Sequence, residues 1–181
     1  MESFEGKFLI MKKNNIKGIL FLGGVLFLLY GCFNPFAPRL SDLENDGELQ
    51  LTEQKSPQEL LQNFKYAYTF KDSIIYRDLL DDSFVFIYRD YTEDKFISWG
   101  KETDIKTTNG IFNNFDIIRL VWNSTNFLTY SSDSVTAEIS KGFTLTLDSD
   151  IKIIGNALFV VKKDPNKNIW VITKWIDKSI I

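Results

Sequence analysis

The sequence contains no histidine and only one cysteine among its 181 residues. Without histidine, the chain lacks the side chain that most often acts as a general base near neutral pH and that most often binds zinc or iron. A single cysteine excludes an intramolecular disulfide, so the hydrophobic core must stabilise the fold. The composition therefore predicts neither a metal site nor a bound cofactor.

An excess of positive charge is also absent. The formal net charge is −3 at pH 7, so the sequence predicts no basic surface for phosphates, and nucleic acid is not an expected partner. Aromatic residues, in contrast, are abundant, with 16 Phe, 7 Tyr and 4 Trp. Because each aromatic side chain buries roughly 150–250 Å², a small domain built from them can have a large core.

The N-terminal segment has the pattern of a targeting signal. Lys12, Lys13 and Lys17 precede an apolar run of twelve residues, 19–30. A membrane-spanning helix needs about 20 apolar residues, whereas a run of this length is typical of the central region of a signal peptide. We therefore expect residues 1–31 to be a signal peptide, with Met11 as an alternative start.

The residues that end this segment are Leu29, Tyr30, Gly31 and Cys32. They resemble the lipobox of bacterial lipoproteins, although Tyr30 departs from the small or β-branched residue that is usual there. The resemblance implies that lipid is attached to the Cys32 thiol and that the chain is cut just before it. The protein would then be lipid-anchored to a membrane of the cell envelope, on the extracytoplasmic side. An uncleaved N-terminal anchor is the alternative.

A tether and a folded domain are expected after the lipidation site. Residues 32–55 contain prolines and scattered acids without a sustained period, which is typical of a flexible spacer. Ser56, Pro57 and Glu59 then form a capping box with proline at the first helical position. This coincidence of helix-start signals predicts a domain over residues 56–181.

Within that domain, helical spacing follows Ser56, and Asp72 is expected to cap a second short helix. Residues 135–147 alternate between apolar and polar side chains, which predicts a strand buried on one face. Lys141 interrupts the apolar face of that strand. The other predicted elements are strands at 84–88, 116–123, 151–162 and 170–177, a polar connection at 91–100, and a third helix at 101–109.

The order of these elements predicts an α+β fold, in which a curved antiparallel sheet wraps around an N-terminal group of helices. The domain resembles the nuclear transport factor 2-like superfamily, which has a cystatin-like cone. The resemblance rests on the long first helix, on a second helix that runs into a strand over residues 76–86, and on Trp170, Trp175 and Asp177 near the C-terminus. It implies a conical cavity between the bent sheet and the first helix.

Six aromatic residues are candidates for lining that cavity and binding a ligand. Aromatic side chains at such positions are more often ordinary core residues. The candidates are Tyr68, Phe86, Tyr88, Trp122, Phe159 and Trp175.

Catalytic members of the superfamily commonly combine a carboxylate or histidine base with a tyrosine. In this chain the acids available are Asp72, Asp104, Asp116 and Asp177, and the tyrosines are Tyr66, Tyr68, Tyr76 and Tyr88. An aspartate beside a tyrosine hydroxyl in an apolar pocket could remove a proton next to a carbonyl group. Asp72 is better explained as a helix cap, and Asp116 and Asp177 stand at strand ends, where acids usually face water.

Three functions remain open from the sequence. The first is a membrane-anchored, non-catalytic module that binds a small apolar ligand or a partner protein. The second is a cofactor-free isomerase, dehydratase or cyclase that uses an Asp–Tyr pair inside the cone. The third is a structural module that forms a homodimer through its open sheet face.

Overall fold

The computed structural model describes residues 49–179. Its helices are α1 (Pro57–Phe70), α2 (Ser73–Leu79) and α3 (Lys101–Asn114). Its strands are β1 (Leu80–Asp90), β2 (Lys95–Gly100), β3 (Ile118–Tyr130), β4 (Thr136–Leu147), β5 (Ile151–Asp164) and β6 (Ile169–Asp177). The predicted lipidation site at Cys32, the signal peptide and most of the tether lie outside the described residues.

The starts of the first two helices follow the predicted capping chemistry. The Ser56 hydroxyl accepts a hydrogen bond from the backbone N–H of Glu59 at 3.2 Å, and Pro57 occupies the first helical turn. The Glu59 carboxylate reaches back to the N–H of Lys55 at 2.8 Å. Asp72 caps α2 by accepting from the N–H groups of Ile74 and Ile75. These side chains satisfy backbone donors that have no partner within the helix.

The six strands form one curved sheet in the order β2-β1-β6-β5-β4-β3, with the helices on one side. The predicted fold class is therefore confirmed. The sheet is mixed and not antiparallel throughout as expected, since β1 and β6 pair in parallel while the other neighbouring pairs are antiparallel. A parallel pair needs a long connection between its strands. Here that connection comprises β2, α3, β3, β4 and β5, and it makes the first and last strands in the chain, β1 and β6, neighbours within the sheet.

The structure corrects the region predicted as a polar connection. Residues 95–100 form β2, which pairs with β1 so that Trp99 lies opposite Phe86. Strand β2 is an edge strand whose residues alternate between exposed and half-buried positions, which explains its weak hydrophobic pattern. The third helix also continues beyond residue 109 to Asn114, because Phe112 is buried against the core and Gly110 is tolerated in the helix.

The folded part also begins before Ser56. Thr52 and Gln54 hydrogen bond to the Asn63 side chain, and the Gln54 amide donates to the carbonyl of Trp170 at 2.6 Å. The Trp170 indole donates to the carbonyl of Lys55 at 3.1 Å. Residues 52–55, which were expected to belong to the tether, are therefore held against α1 and β6.

Strand β4 shows the predicted alternation. Ala137, Ile139, Phe143 and Leu147 are buried on its inner face, whereas Val135, just before the strand, is exposed. The register with β5 is continuous from Thr136 to Leu147, so no bulge in this pairing changes the face that Lys141 presents. Lys141 therefore lies on the same concave side of the sheet as its apolar neighbours.

Candidate functional site

A cavity of about 120 Å³ lies between α1, α3 and the concave face of the sheet. Its walls are mainly aromatic and aliphatic, and one carboxylate adjoins them. The aromatic lining residues are Phe64, Tyr68, Trp122, Phe143 and Trp175. The remaining lining residues are Ile111, Leu120, Leu145, Ile153, Ala157 and Asp177. The conical cavity implied by the superfamily resemblance is thus present in this chain.

Three of the six candidate ligand-binding residues line this cavity, namely Tyr68, Trp122 and Trp175. Trp122 is held in place because its indole N–H donates to the carbonyl of Leu61 in α1 at 2.8 Å. Tyr68 is stacked on Phe64, with ring centroids 4.9 Å apart. These contacts with α1 fix the orientation of the Trp122 and Tyr68 side chains in the cavity wall.

The other three candidates lie elsewhere. Phe159 is fully buried and packs edge-on against Phe64 and Trp122, so it is a core residue. Phe86 is also buried and stacks on Trp99, with ring centroids 4.6 Å apart. Tyr88 lines a separate open depression of about 270 Å³ at the end of β1, where the neighbouring residues are mostly polar.

Asp177 borders both the cavity and the open depression. Its Oδ1 atom accepts hydrogen bonds from the N–H and the hydroxyl of Ser179, at 2.9 and 2.6 Å. Tyr68 shares the cavity with it, and burial together with the carboxylate of Asp104 raises the pKa of the Tyr68 phenol well above its ordinary value. The Tyr68 hydroxyl is therefore neutral at physiological pH, and it already hydrogen bonds with Thr108 and Tyr76.

The segment after β6 crosses the sheet beside the cavity. A Cβ atom placed on Gly155 would lie 2.5 Å from the Cβ atom of Ser179 and 3.2 Å from a ring carbon of Phe143. Only glycine allows the chain to pass this closely without a shift. The backbone N–H of Lys178 also donates to the carbonyl of Asn156 at 2.8 Å, which holds this segment down.

A second group of polar side chains is buried next to the cavity, where the Tyr76 ring packs edge-on against Tyr68 with ring centroids 5.6 Å apart. The Tyr76 hydroxyl donates to Oδ2 of Asp104 at 2.5 Å, and the Trp99 indole donates to Oδ1 at 2.9 Å. Asp104 is only 3% exposed. Desolvation raises the pKa of Asp104, and the two hydrogen bonds oppose that rise without cancelling it. We call these three residues the buried triad.

The buried triad was not recognised from the sequence, although Asp104 and Tyr76 were each considered as catalytic candidates. A usable signal exists in the sequence of α3. Asp104, Thr108 and Phe112 follow one another at intervals of four residues and are all buried. An aspartate on the apolar stripe of a helix requires hydrogen-bond donors in the core, because a buried carboxylate without them is strongly destabilising.

Lys141 is a charged side chain on the otherwise apolar inner face of β4. It is half-buried, and its Nζ atom lies 5.9 Å from the centre of the Trp122 ring. Desolvation lowers the pKa of Lys141, and the nearby charge of Lys65 lowers it further. The residues that face Lys141 on the neighbouring strands are Thr125 and Ala157, so neither supplies a negative charge.

Two features are absent from residues 49–179. No group of three or more acidic, cysteine or histidine side chains in this range is arranged to hold a metal ion. None of the helices in the same range is long and apolar enough to cross a membrane.

No family model matches the chain, and no curated protein shows significant similarity to it. Solved structures with cystatin-like and nuclear transport factor 2-like folds are similar to it. A nuclear transport factor 2-like protein of unknown function from Shewanella oneidensis has a TM-score of 0.54 and 15% identity, over 66% of this chain and 93% of that protein. At this level of identity the likeness establishes the fold alone.

Two further structures extend the comparison. A protein from Novosphingobium aromaticivorans, provisionally named a scytalone dehydratase, has a TM-score of 0.59 and 11% identity, over 75% of this chain and 89% of that one. Bd1075 from Bdellovibrio bacteriovorus has a TM-score of 0.54 and 7% identity over 68% of this chain, which spans only 39% of Bd1075.

Proposed function

We propose that this protein is a non-catalytic module that binds a small apolar ligand and is held at the cell-envelope membrane by lipid on Cys32. The observation that carries the ligand-binding part is the cavity of about 120 Å³ with five aromatic residues in its lining. An engineered apolar cavity of about 150 Å³ binds benzene, so a ligand of roughly one aromatic ring suits this volume.

The size of the cavity also limits the affinity. The best very small ligands gain about 1.5 kcal/mol for each non-hydrogen atom. A ligand of about six such atoms would therefore gain at most about 9 kcal/mol, which corresponds to a submicromolar Kd at the very best. We expect the natural affinity to be weaker, in the micromolar range, since few ligands reach this limit.

The surroundings of Asp104 argue against a role of this residue as a general base in the cavity. Both carboxylate oxygens of Asp104 accept hydrogen bonds from side chains of the protein, and Asp104 is not among the residues that line the cavity. A general base must lie within hydrogen-bonding reach of the proton that it removes. Asp104 therefore acts as a structural acceptor that positions Tyr76 and Trp99.

Ligand binding can be tested with toluene and phenol on the full chain in lipid nanodiscs. Trp122 and Trp175 line the cavity, so we expect a saturable change in tryptophan fluorescence. Leu145→Phe would fill the cavity and abolish the change. Leu51→Phe adds the same ring at a position that is 48% exposed and serves as the matched control. Equal responses from both variants would contradict binding in the cavity.

The membrane part of the proposal rests on the sequence pattern around Cys32. With a thioether-linked lipid, the wild-type chain is expected in the membrane fraction, because two or three acyl chains anchor a protein firmly. Cys32→Ser should release the protein into the soluble fraction, and metabolic labelling with a fatty acid should mark only the wild type. A Cys32→Ser variant that stays in the membrane would indicate an uncleaved anchor instead.

A cofactor-free isomerase, dehydratase or cyclase is the second candidate, because Tyr68 and Asp177 line the same cavity. The similarity to the protein provisionally named a scytalone dehydratase is compatible with this chemistry. In such an enzyme Asp177 would remove a proton and the neutral Tyr68 hydroxyl would stabilise the developing negative charge on oxygen. Turnover that is lost in Asp177→Asn and in Tyr68→Phe, with ligand binding retained, would favour the enzyme over the binding module.

A further inference from the structure

Lys141 places a positive charge beside the aromatic wall of the cavity, whose lining also contains the carboxylate of Asp177. It lies on the inner face of β4, two residues from Phe143, which lines the cavity. Phe143 pairs directly with Trp122, whose ring is the group that Lys141 contacts. The ammonium group therefore adjoins the aromatic wall, although Lys141 itself is not one of the lining residues.

The charge of Lys141 is poorly compensated within residues 49–179. Its contact there is the face of the Trp122 ring, with Nζ 5.9 Å from the ring centre, and no carboxylate forms an ion pair with it. Lys65 brings a second positive charge near the same point. Removing an ammonium group partly from water is costly unless an anion or a hydrogen-bond acceptor compensates it. A bound anion would supply that compensation.

Across the sheet from Lys141, the cavity is bordered by a negative charge, that of Asp177. Lys141, Ala157 and Asp177 follow one another across β4, β5 and β6 in a single register row. One oxygen of Asp177 already accepts two hydrogen bonds from Ser179. A cation and a carboxylate thus flank the small Ala157 side chain. The carboxylate already accepts hydrogen bonds from Ser179, whereas the contact of the cation within residues 49–179 is the Trp122 ring.

We propose that the cavity binds small organic carboxylates, with the apolar part of the ligand inside the aromatic walls and its carboxylate on the ammonium group of Lys141. This inference deepens the proposed ligand-binding function and rests on it. The flexible stem of a lysine allows the ammonium group to follow the carboxylate, and a charge-assisted hydrogen bond between the two would be about 2.7–2.9 Å long. Such a bond adds to the affinity that the walls provide.

The test uses three probes that share one ring and differ in charge, namely benzoate, benzamide and benzylamine. Each is titrated into the full chain in lipid nanodiscs, with tryptophan fluorescence as the readout. We expect benzoate to bind at least about tenfold more tightly than benzamide, since a hydrogen bond to a charged group is worth about that much or more. Benzylamine should bind most weakly.

Lys141→Met removes the charge and keeps most of the aliphatic stem. It should lower the affinity for benzoate by about tenfold and leave that for benzamide unchanged. Lys141→Arg should retain the preference for benzoate. Lys152→Met is the matched control, because Lys152 is exposed on β5 and its loss should change neither affinity.

The outcomes separate this inference from the proposed function. If the three probes bind equally well, or if benzylamine binds best and loses its advantage in Asp177→Asn, the cavity binds ligands but the role of Lys141 is refuted. If none of the probes binds, the proposed function fails together with the inference. The comparison of probes on the wild type alone decides between these outcomes, even if a variant does not fold.

Discussion

The polar groups of the buried triad and those beside the cavity differ in how completely their hydrogen-bonding and charge requirements are met. In the buried triad, each oxygen of Asp104 has a donor, from Tyr76 or from Trp99. At the cavity, Lys141 contacts an aromatic ring and has no ion pair within residues 49–179, and Asp177 borders the open volume. Satisfied buried polar groups make a structure unique and rigid, whereas partly satisfied groups beside a cavity are typical of a binding site. The contrast distinguishes a group with a structural role, the buried triad, from the polar groups beside the cavity.

The largest loss in the free energy of unfolding is expected when Asp104, the hydrogen-bond acceptor of the buried triad, is replaced. Asp104→Leu would leave the Tyr76 hydroxyl and the Trp99 indole without their partner. Each unsatisfied buried group costs about 1–3 kcal/mol, so the free energy of unfolding should fall by about 3 kcal/mol or more. Asp104→Asn keeps an acceptor and a similar shape and should cost about 1 kcal/mol. Urea unfolding of the full chain measures both, and equal losses would show that the hydrogen bonds of the triad are unimportant.

The second prediction compares the effect of a leucine-to-phenylalanine substitution on the free energy of unfolding in the packed core and beside the cavity. Leu60 is fully buried in the core, so Leu60→Phe overpacks it and should cost about 1–3 kcal/mol. Leu145 lines the cavity, so Leu145→Phe should change the free energy of unfolding by less than about 1 kcal/mol while it blocks ligand binding. Thermal unfolding of both variants checks this. A similar loss in both would mean that the cavity closes in solution.

The third prediction concerns the chain segment beside the cavity. Gly155→Ala would force Ser179 away from β5, because the new methyl group would lie 2.5 Å from the Ser179 Cβ atom. We expect a loss of about 1–2 kcal/mol and weaker ligand binding. Gly110→Ala is the control, since nothing lies within 4 Å of the new group and alanine favours the helix by about 0.5–1 kcal/mol. Chemical denaturation should therefore move the two variants in opposite directions.

The smallest expected effect is a pH dependence of the free energy of unfolding that arises from the titration of Asp104. The pKa of Asp104 is raised by burial in the folded state, whereas in the unfolded chain it is about 3.9. The unfolded state therefore ionises first as the pH rises. The contribution of Asp104 is complete below about pH 4 and is lost as the pH rises through its folded pKa.

This titration can be isolated by measuring the stability of the wild type minus that of Asp104→Asn across the acid-to-neutral range. The difference should decrease with rising pH and then become constant. A difference that increases with pH would mean that the Asp104 carboxylate is stabilised as an anion, contrary to the direction of the shift.

The sequence was informative where a pattern depends on neighbouring residues. Ser56, Glu59 and Asp72 cap helices by bonding to backbone groups two to four residues away. The inner face of β4 follows from the alternation of its side chains. These signals, together with the order of the elements, were sufficient to predict the fold class. Local chemistry alone could not reveal β2, because an edge strand that is half exposed has little hydrophobic periodicity.

The candidate site was predictable only in part. Tyr68, Trp122 and Trp175 were expected at the cavity and lie there, but Phe86 and Phe159 were indistinguishable from them in sequence and are buried in the core. All five are aromatic residues on inward faces. Which of them borders empty space depends on how the helices and the sheet fit together, and this fit involves residues far apart in the chain.

The sequence by itself determined the helix starts, the inward face of β4 and the lack of a histidine base, because each depends on residue identity or on contacts within a few positions. It also predicts the lipid anchor at Cys32, which remains to be tested. Only the tertiary structure decided that β1 pairs with β6, that Asp104 meets Tyr76 and Trp99, and that Asp177 and Trp122 line one cavity while Lys141 contacts the Trp122 ring. These contacts join residues distant in sequence, and packing of the whole chain brings them together.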